Sequence, residues 1–166
     1  MESPVPIRYF SLPVLGSAAA MGALVLGLGA CSDEPDRDES GAVTESGDAD
    51  VFQIKVGDCM SDQAAATGEV SEVPVVPCTE PHDSEVYFAY TIPDADTFPG
   101  DFQEHVDAQC VPQFQTFVGV PYESSALSLT WLEPTLESWD SGDRELLCIV
   151  ADPAGGVTGT LEGAAR

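Results

Sequence analysis

Asp101–Val118, DFQEHVDAQCVPQFQTFV, is the stretch that decides the fold, because it is the one long segment with helical periodicity. Phe102, Val106, Cys110, Phe114 and Phe117 recur at the spacing that lines one face of a helix. Pro99-Gly100 precede the segment and Gly119 follows it, and Asp101 with Glu104 has the form of a capping box. Pro112 is discordant: it lacks an N–H and predicts a kink or a split. Cys110 falls on the apolar stripe, so its sulfur is expected to point into a core.

The segments around this helix read as strands. Val51–Val56 is rich in β-branched and aromatic residues and stops at Gly57-Asp58. Val73–Val76 is closed by Pro77. Glu85–Ile92 is the strongest strand, with Val86, Phe88, Tyr90 and Ile92 predicted on one face. Ala126–Leu132 alternates, placing Leu127, Leu129 and Trp131 together. Pro134–Trp139 predicts a helical turn, Glu145–Val150 a central apolar strand, and Val157–Leu161 a last strand after the turn Pro153–Gly156. The expected architecture is α+β: a small antiparallel sheet with one long helix packed on a face. No internal repeat is visible.

The first thirty residues stand apart. Arg8 precedes an apolar stretch from Leu12 to Leu28, and Leu28-Gly29-Ala30-Cys31 resembles the bacterial lipobox. That resemblance implies a signal peptide over residues 1–30, cleavage before Cys31, and a diacylglycerol on its sulfur with palmitate-type acylation. The mature chain would then be a lipoprotein on the outer face of the cell membrane. The rival reading is an uncleaved membrane-spanning anchor. Both place the remaining chain outside the cytoplasm.

Five cysteines then divide into lipidated Cys31 and an even set, Cys59, Cys78, Cys110 and Cys148. In an oxidising compartment that set predicts two disulfides. Three pairings are possible and spacing alone does not choose. Cys59–Cys78 and Cys110–Cys148 are preferred because each joins neighbouring elements. A zinc site is disfavoured, since no C-x-x-C is present and the two histidines are not spaced to complete one. No metal and no cofactor is expected.

The formal charge is −24. Such a balance opposes direct binding of nucleic acid or anionic lipid and favours a solvated acidic surface. Residues 31–50 hold Cys31 followed by SDEPDRDESGAVTESGDAD, which reads as a disordered, self-repelling tether. Extended, it would reach about 60 Å and hold a folded domain of residues 51–166 clear of the lipid.

Four pieces of that domain carry a family likeness. They are Val56-Gly57-Asp58-Cys59; the run Val76-Pro77-Cys78 through Pro81-His82 to Glu85-Val86; Cys110, Phe114 and Val118-Gly119; and Pro134-Thr135 with Ser138-Trp139, Gly142-Asp143-Arg144 and Cys148. In this order, across about residues 55 to 163, they resemble the actinobacterial septum-formation domain, a family of exported or membrane-tethered cell-envelope domains. The resemblance implies a setting in cell division and supplies no mechanism.

The candidate ligand-binding residues are His82, Glu85, Arg144 and Trp139. His82 beside Asp83 and Glu85 has the chemistry of a cation ligand or an acid–base group. Set against this, His82 and Glu85 are three apart at a strand entry, and the ring can simply cap the turn at Pro81. Arg144, a lone cation in an acidic domain, is expected to pair with a carboxylate, or to receive a ligand's carboxylate or phosphate. Packing beside Trp139 serves either role. There is no G-x-S-x-G, no cysteine nucleophile once the disulfides form, and no base placed near Ser124, Ser125 or Ser138. The expected function is therefore non-enzymatic: a binding or adaptor lipoprotein, its partners the membrane and other envelope or division proteins. The alternative is an envelope enzyme or ligand sensor using His82, Glu85 and Arg144.

Overall fold

The computed structural model describes residues 35–61, 68–93 and 97–166. Cys31 and the signal peptide expected over residues 1–30 lie outside the described residues. Six strands form one sheet: β1 (Gly47–Asp50), β2 (Cys59–Met60), β3 (Glu72–Val76), β4 (Ser84–Thr91), β5 (Ser128–Leu132) and β6 (Glu145–Ala151). Their order is β1-β3-β2-β4-β6-β5 and every pairing is antiparallel. The α+β class agrees with the sequence reading, although the sheet is larger than the small one expected.

The long helix is built from α1 (Gln103–His105), a π-helical turn (Val106–Cys110) and α2 (Val111–Val118). The π turn is the structural answer to Pro112. Val111 donates its N–H five residues back, to the Val106 carbonyl, and this widening leaves Pro112 in the first turn of α2. Proline is tolerated at that position. Gly119 ends the helix at φ 94°, a left-handed conformation that suits glycine.

Two apolar clusters flank the sheet. Phe102, Val106, Phe114 and Val118 of the helix pack on Leu146 and Val150 of β6. On the other face, Met60, Val73, Val75, Val86, Leu147 and Ile149 bury one another as the sheet curls over them. β6 is thus covered on both faces, which is why its sequence is almost continuously apolar. A bulge at Tyr87 shifts the phase of β4. Val86 therefore joins the second cluster while Tyr87 and Ile92 join the first, so the strict alternation read from sequence does not hold.

The disulfides are Cys59–Cys78 and Cys110–Cys148, with Cα separations of 5.2 and 5.6 Å. The second staples the helix to the central strand β6. Tyr87 adds a second tie, its hydroxyl donating to the Cys110 carbonyl at 2.8 Å. Burial raises the Tyr87 phenol well above its ordinary value, which keeps it a donor.

Three segments depart from expectation. Val51–Val56 is not a strand; Val51–Gln53 forms a 3₁₀ turn capped by the Asp50 carboxylate, which accepts from the Phe52 N–H. Val157–Leu161 makes only an isolated bridge, Val157 to His82. Most consequentially, the stretch read as a disordered tether is folded from residue 35. Its β1 pairs with β3 from Gly47↔Val75 to Asp50↔Glu72. The few apolar residues in it are enough: Val43 and Ala49 are buried in the second cluster, and Arg37 is drawn in by a carboxylate.

Candidate functional site

His82 lies just before β4, antiparallel to Val157, with both backbone hydrogen bonds formed at 2.9 and 2.8 Å. Its ring is buried. Nδ1 is 2.8 Å from the Glu80 carbonyl oxygen, and because a carbonyl only accepts, Nδ1 carries the proton. In the neutral ring Nε2 is then a bare lone pair, buried and without a hydrogen-bond partner among the described residues. Ring and carbonyl together fix the turn at Pro81.

Glu85 is buried as well. Its carboxylate accepts from the Leu161 N–H at 2.6 Å and from the Thr160 hydroxyl at 2.8 and 3.0 Å. Burial nevertheless raises its carboxyl above the ordinary range, outweighing these hydrogen bonds and the neighbouring His82. Asp83 completes the cluster: its carboxylate accepts from the Gly156 N–H at 3.2 Å, and its carbonyl from the Asp152 N–H at 2.8 Å. All three side chains or backbones hold the segment 152–166 against the sheet. That segment also inserts Leu161 into the first core and sets the Arg166 guanidinium 2.5 Å from the Asp152 carboxylate.

Arg144 and Trp139 stand elsewhere. A reciprocal Thr135–Ser138 capping box starts α3 (Leu136–Asp140) and fixes Trp139 in contact with Phe98 and Phe102. The Arg144 Cζ lies 3.7 Å from the Trp139 ring centroid. Its Nη1 donates to the carbonyls of Trp139 and Asp143 at 2.8 and 2.6 Å. The Arg144 carbonyl meets the Ile92 N–H, at the end of β4, whereas His82 lies before its start. The candidate residues thus form two clusters at opposite ends of one strand and do not converge.

The polar pair that sequence reasoning missed is Arg37–Asp58. Arg37 reaches both Asp58 carboxylate oxygens, at 2.6 and 2.8 Å, and the Gln53 carbonyl at 2.9 Å. Asp58 also accepts from the Lys55 N–H. The signal was present as a lone arginine among acids and an aspartate inside Gly57-Asp58-Cys59. Among the described residues no group of three or more His, Cys, Asp or Glu is placed to hold a metal ion.

The model of the septum-formation family matches residues 31–148. The chain belongs to the septum-formation family. The match begins well before residue 51, so it takes in the acidic stretch that the structure shows folded. No curated protein and no solved structure matches the chain. Within this septum-formation domain the described residues contain no helix long and apolar enough to cross a membrane, and its disulfides are compatible with an extracytoplasmic setting.

Proposed function

We propose that the chain is a non-enzymatic binding or adaptor lipoprotein, anchored through Cys31 to the outer face of the cell membrane and serving septum formation. The observation that carries this reading is the way His82 and Glu85 are used. Both are enclosed: Glu85 accepts from the Leu161 N–H and the Thr160 hydroxyl, and the His82 Nδ1 and backbone bond the chain's own carbonyls and amides, as fold-defining groups do. Family membership supplies the division setting, and the acidic, disulfide-stapled surface suits a module working outside the cytoplasm through other envelope proteins.

Photo-crosslinking from surface positions in intact dividing cells tests the adaptor role. Reproducible capture of envelope or division proteins is the expected result. Capture of none, together with turnover of a small molecule that His82→Ala abolishes without unfolding the domain, would overturn it.

A further inference from the structure

The folded acidic stretch changes where the domain must sit. With residues 31–50 extended, a lipid on Cys31 would leave the domain free to stand about 60 Å away. The structure fastens Arg37 to Asp58 and to the Gln53 carbonyl. Only six residue steps separate Cys31 from Arg37, about 20 Å at full extension. Segment 51–58, which Arg37 contacts directly, is therefore held close to whatever surface takes the lipid.

That segment is unlike the rest of the chain. In a protein of charge −24, its one carboxylate, Asp58, is buried and neutralised by Arg37. The exposed charge it carries is Lys55. Near Lys55 in sequence are Phe52, 66 % exposed, and Val56, 52 % exposed, two of the three large apolar side chains the described residues leave in solvent. Hydrogen bonds hold the backbone beneath these side chains. Ile54 is buried beneath, Asp50 caps the Phe52 N–H, the Asp58 carboxylate holds the Lys55 N–H, and the Gly57 N–H bonds the Val86 carbonyl.

We propose that Phe52, Lys55 and Val56 form a membrane-contact surface that rests in the headgroup region and orients the domain on the bilayer. Aromatic, aliphatic and lysine side chains together are the composition that suits this interface. The patch is too small to bind lipid alone; beside a covalent lipid it acts as the second signal, fixing orientation. The proposal rests on lipidation of Cys31.

The test uses the full chain, exported and purified from membranes as Phe52→Trp, in vesicles of phosphatidylcholine with brominated acyl chains. Bromine quenches an indole that reaches the acyl boundary. Trp131 and Trp139 supply the background, measured in the parent protein. Leu136→Trp is the control: Leu136 is exposed, but α3 lies near the opposite end of β4 from Val86, six residues or about 20 Å along a strand. A loss of emission and a blue shift for Phe52→Trp, with neither for Leu136→Trp, is the expected result. Lipidated, vesicle-bound Phe52→Trp without extra quenching would overturn the contact surface and leave the lipid anchor standing. Protein whose mass shows no lipid on Cys31 would remove the anchor and the proposal together.

Discussion

Arg37 and Asp58 form a bidentate ion pair, at 2.6 and 2.8 Å, that fastens an acidic stretch to the turn before β2. The pair is almost fully shielded, with side-chain exposures of 9 % and 2 %. Removing one partner strands a buried charge, which typically costs about 3–5 kcal/mol. Arg37→Ala should therefore lower stability by roughly that amount in chemical denaturation. It should also speed amide hydrogen exchange across β1 and β3. A change within 0.5 kcal/mol, the size of an ordinary surface substitution, would show that residues 35–50 are not part of the cooperative unit.

Glu85 gives a pH dependence with a definite sign. Its carboxyl is raised above the ordinary range by burial, so the folded state holds that proton more tightly than the unfolded chain. The resulting stabilisation is fully present below the unfolded value, about pH 4, and is lost as pH rises through the raised folded value. Glu85→Gln keeps an oxygen for the Leu161 N–H and removes the buried charge. It should melt at or above the parent at pH 7, with the gap narrowing towards pH 4. A variant clearly less stable at pH 7 would mean that the carboxylate contributes more through hydrogen bonding than its burial costs.

Segment 152–166 lies beyond the stretch matched by the family model, yet it completes the fold. Leu161 is 1 % exposed in the main core, and truncating a buried leucine to alanine costs about 2–5 kcal/mol. Leu161→Ala should fall in that range by denaturant titration. Gly155→Ala should also destabilise, because Gly155 has φ 66° and an added Cβ would sit 2.8 Å from the Asp83 Oδ1. If both variants match the parent, the segment is an accessory to the domain.

The two disulfides should contribute unequally. Their sequence separations of 19 and 38 residues correspond to about 3 and about 4 kcal/mol in the loop-closure account. Cys110–Cys148 also joins the helix to β6, so Cys110→Ser/Cys148→Ser should lower the melting temperature more than Cys59→Ser/Cys78→Ser. The reverse order would place the greater constraint at the short turn.

The sequence made the central elements legible because their periodicity is set by one-sided burial. The helix, β3, β4, α3 and β6 stand where spacing placed them, and the preferred cysteine pairing follows from that layout. Residues 35–50 were unreadable for the opposite reason. Their net charge masks Val43, Ala49 and Arg37, and it is long-range contact with Asp58 and β3 that orders them. Segment 157–161 has a composition that suggests strand pairing, whereas its attachments are Glu85, the Cys78 carbonyl that accepts from the Gly159 N–H, and a single bridge to His82. At the candidate site, the packing of Arg144 beside Trp139 was legible from their proximity in sequence. That the pair sits at the far end of β4 from His82 was not, because side-chain convergence is a property of topology.

The most direct test of the septal adaptor reading is to image the full chain in dividing cells, fused to a fluorophore that works outside the cytoplasm, against a marker of new wall synthesis. The account predicts enrichment at nascent septa, retained by His82→Ala provided its melting shows that the domain is folded. An even distribution over the membrane through the division cycle would contradict it.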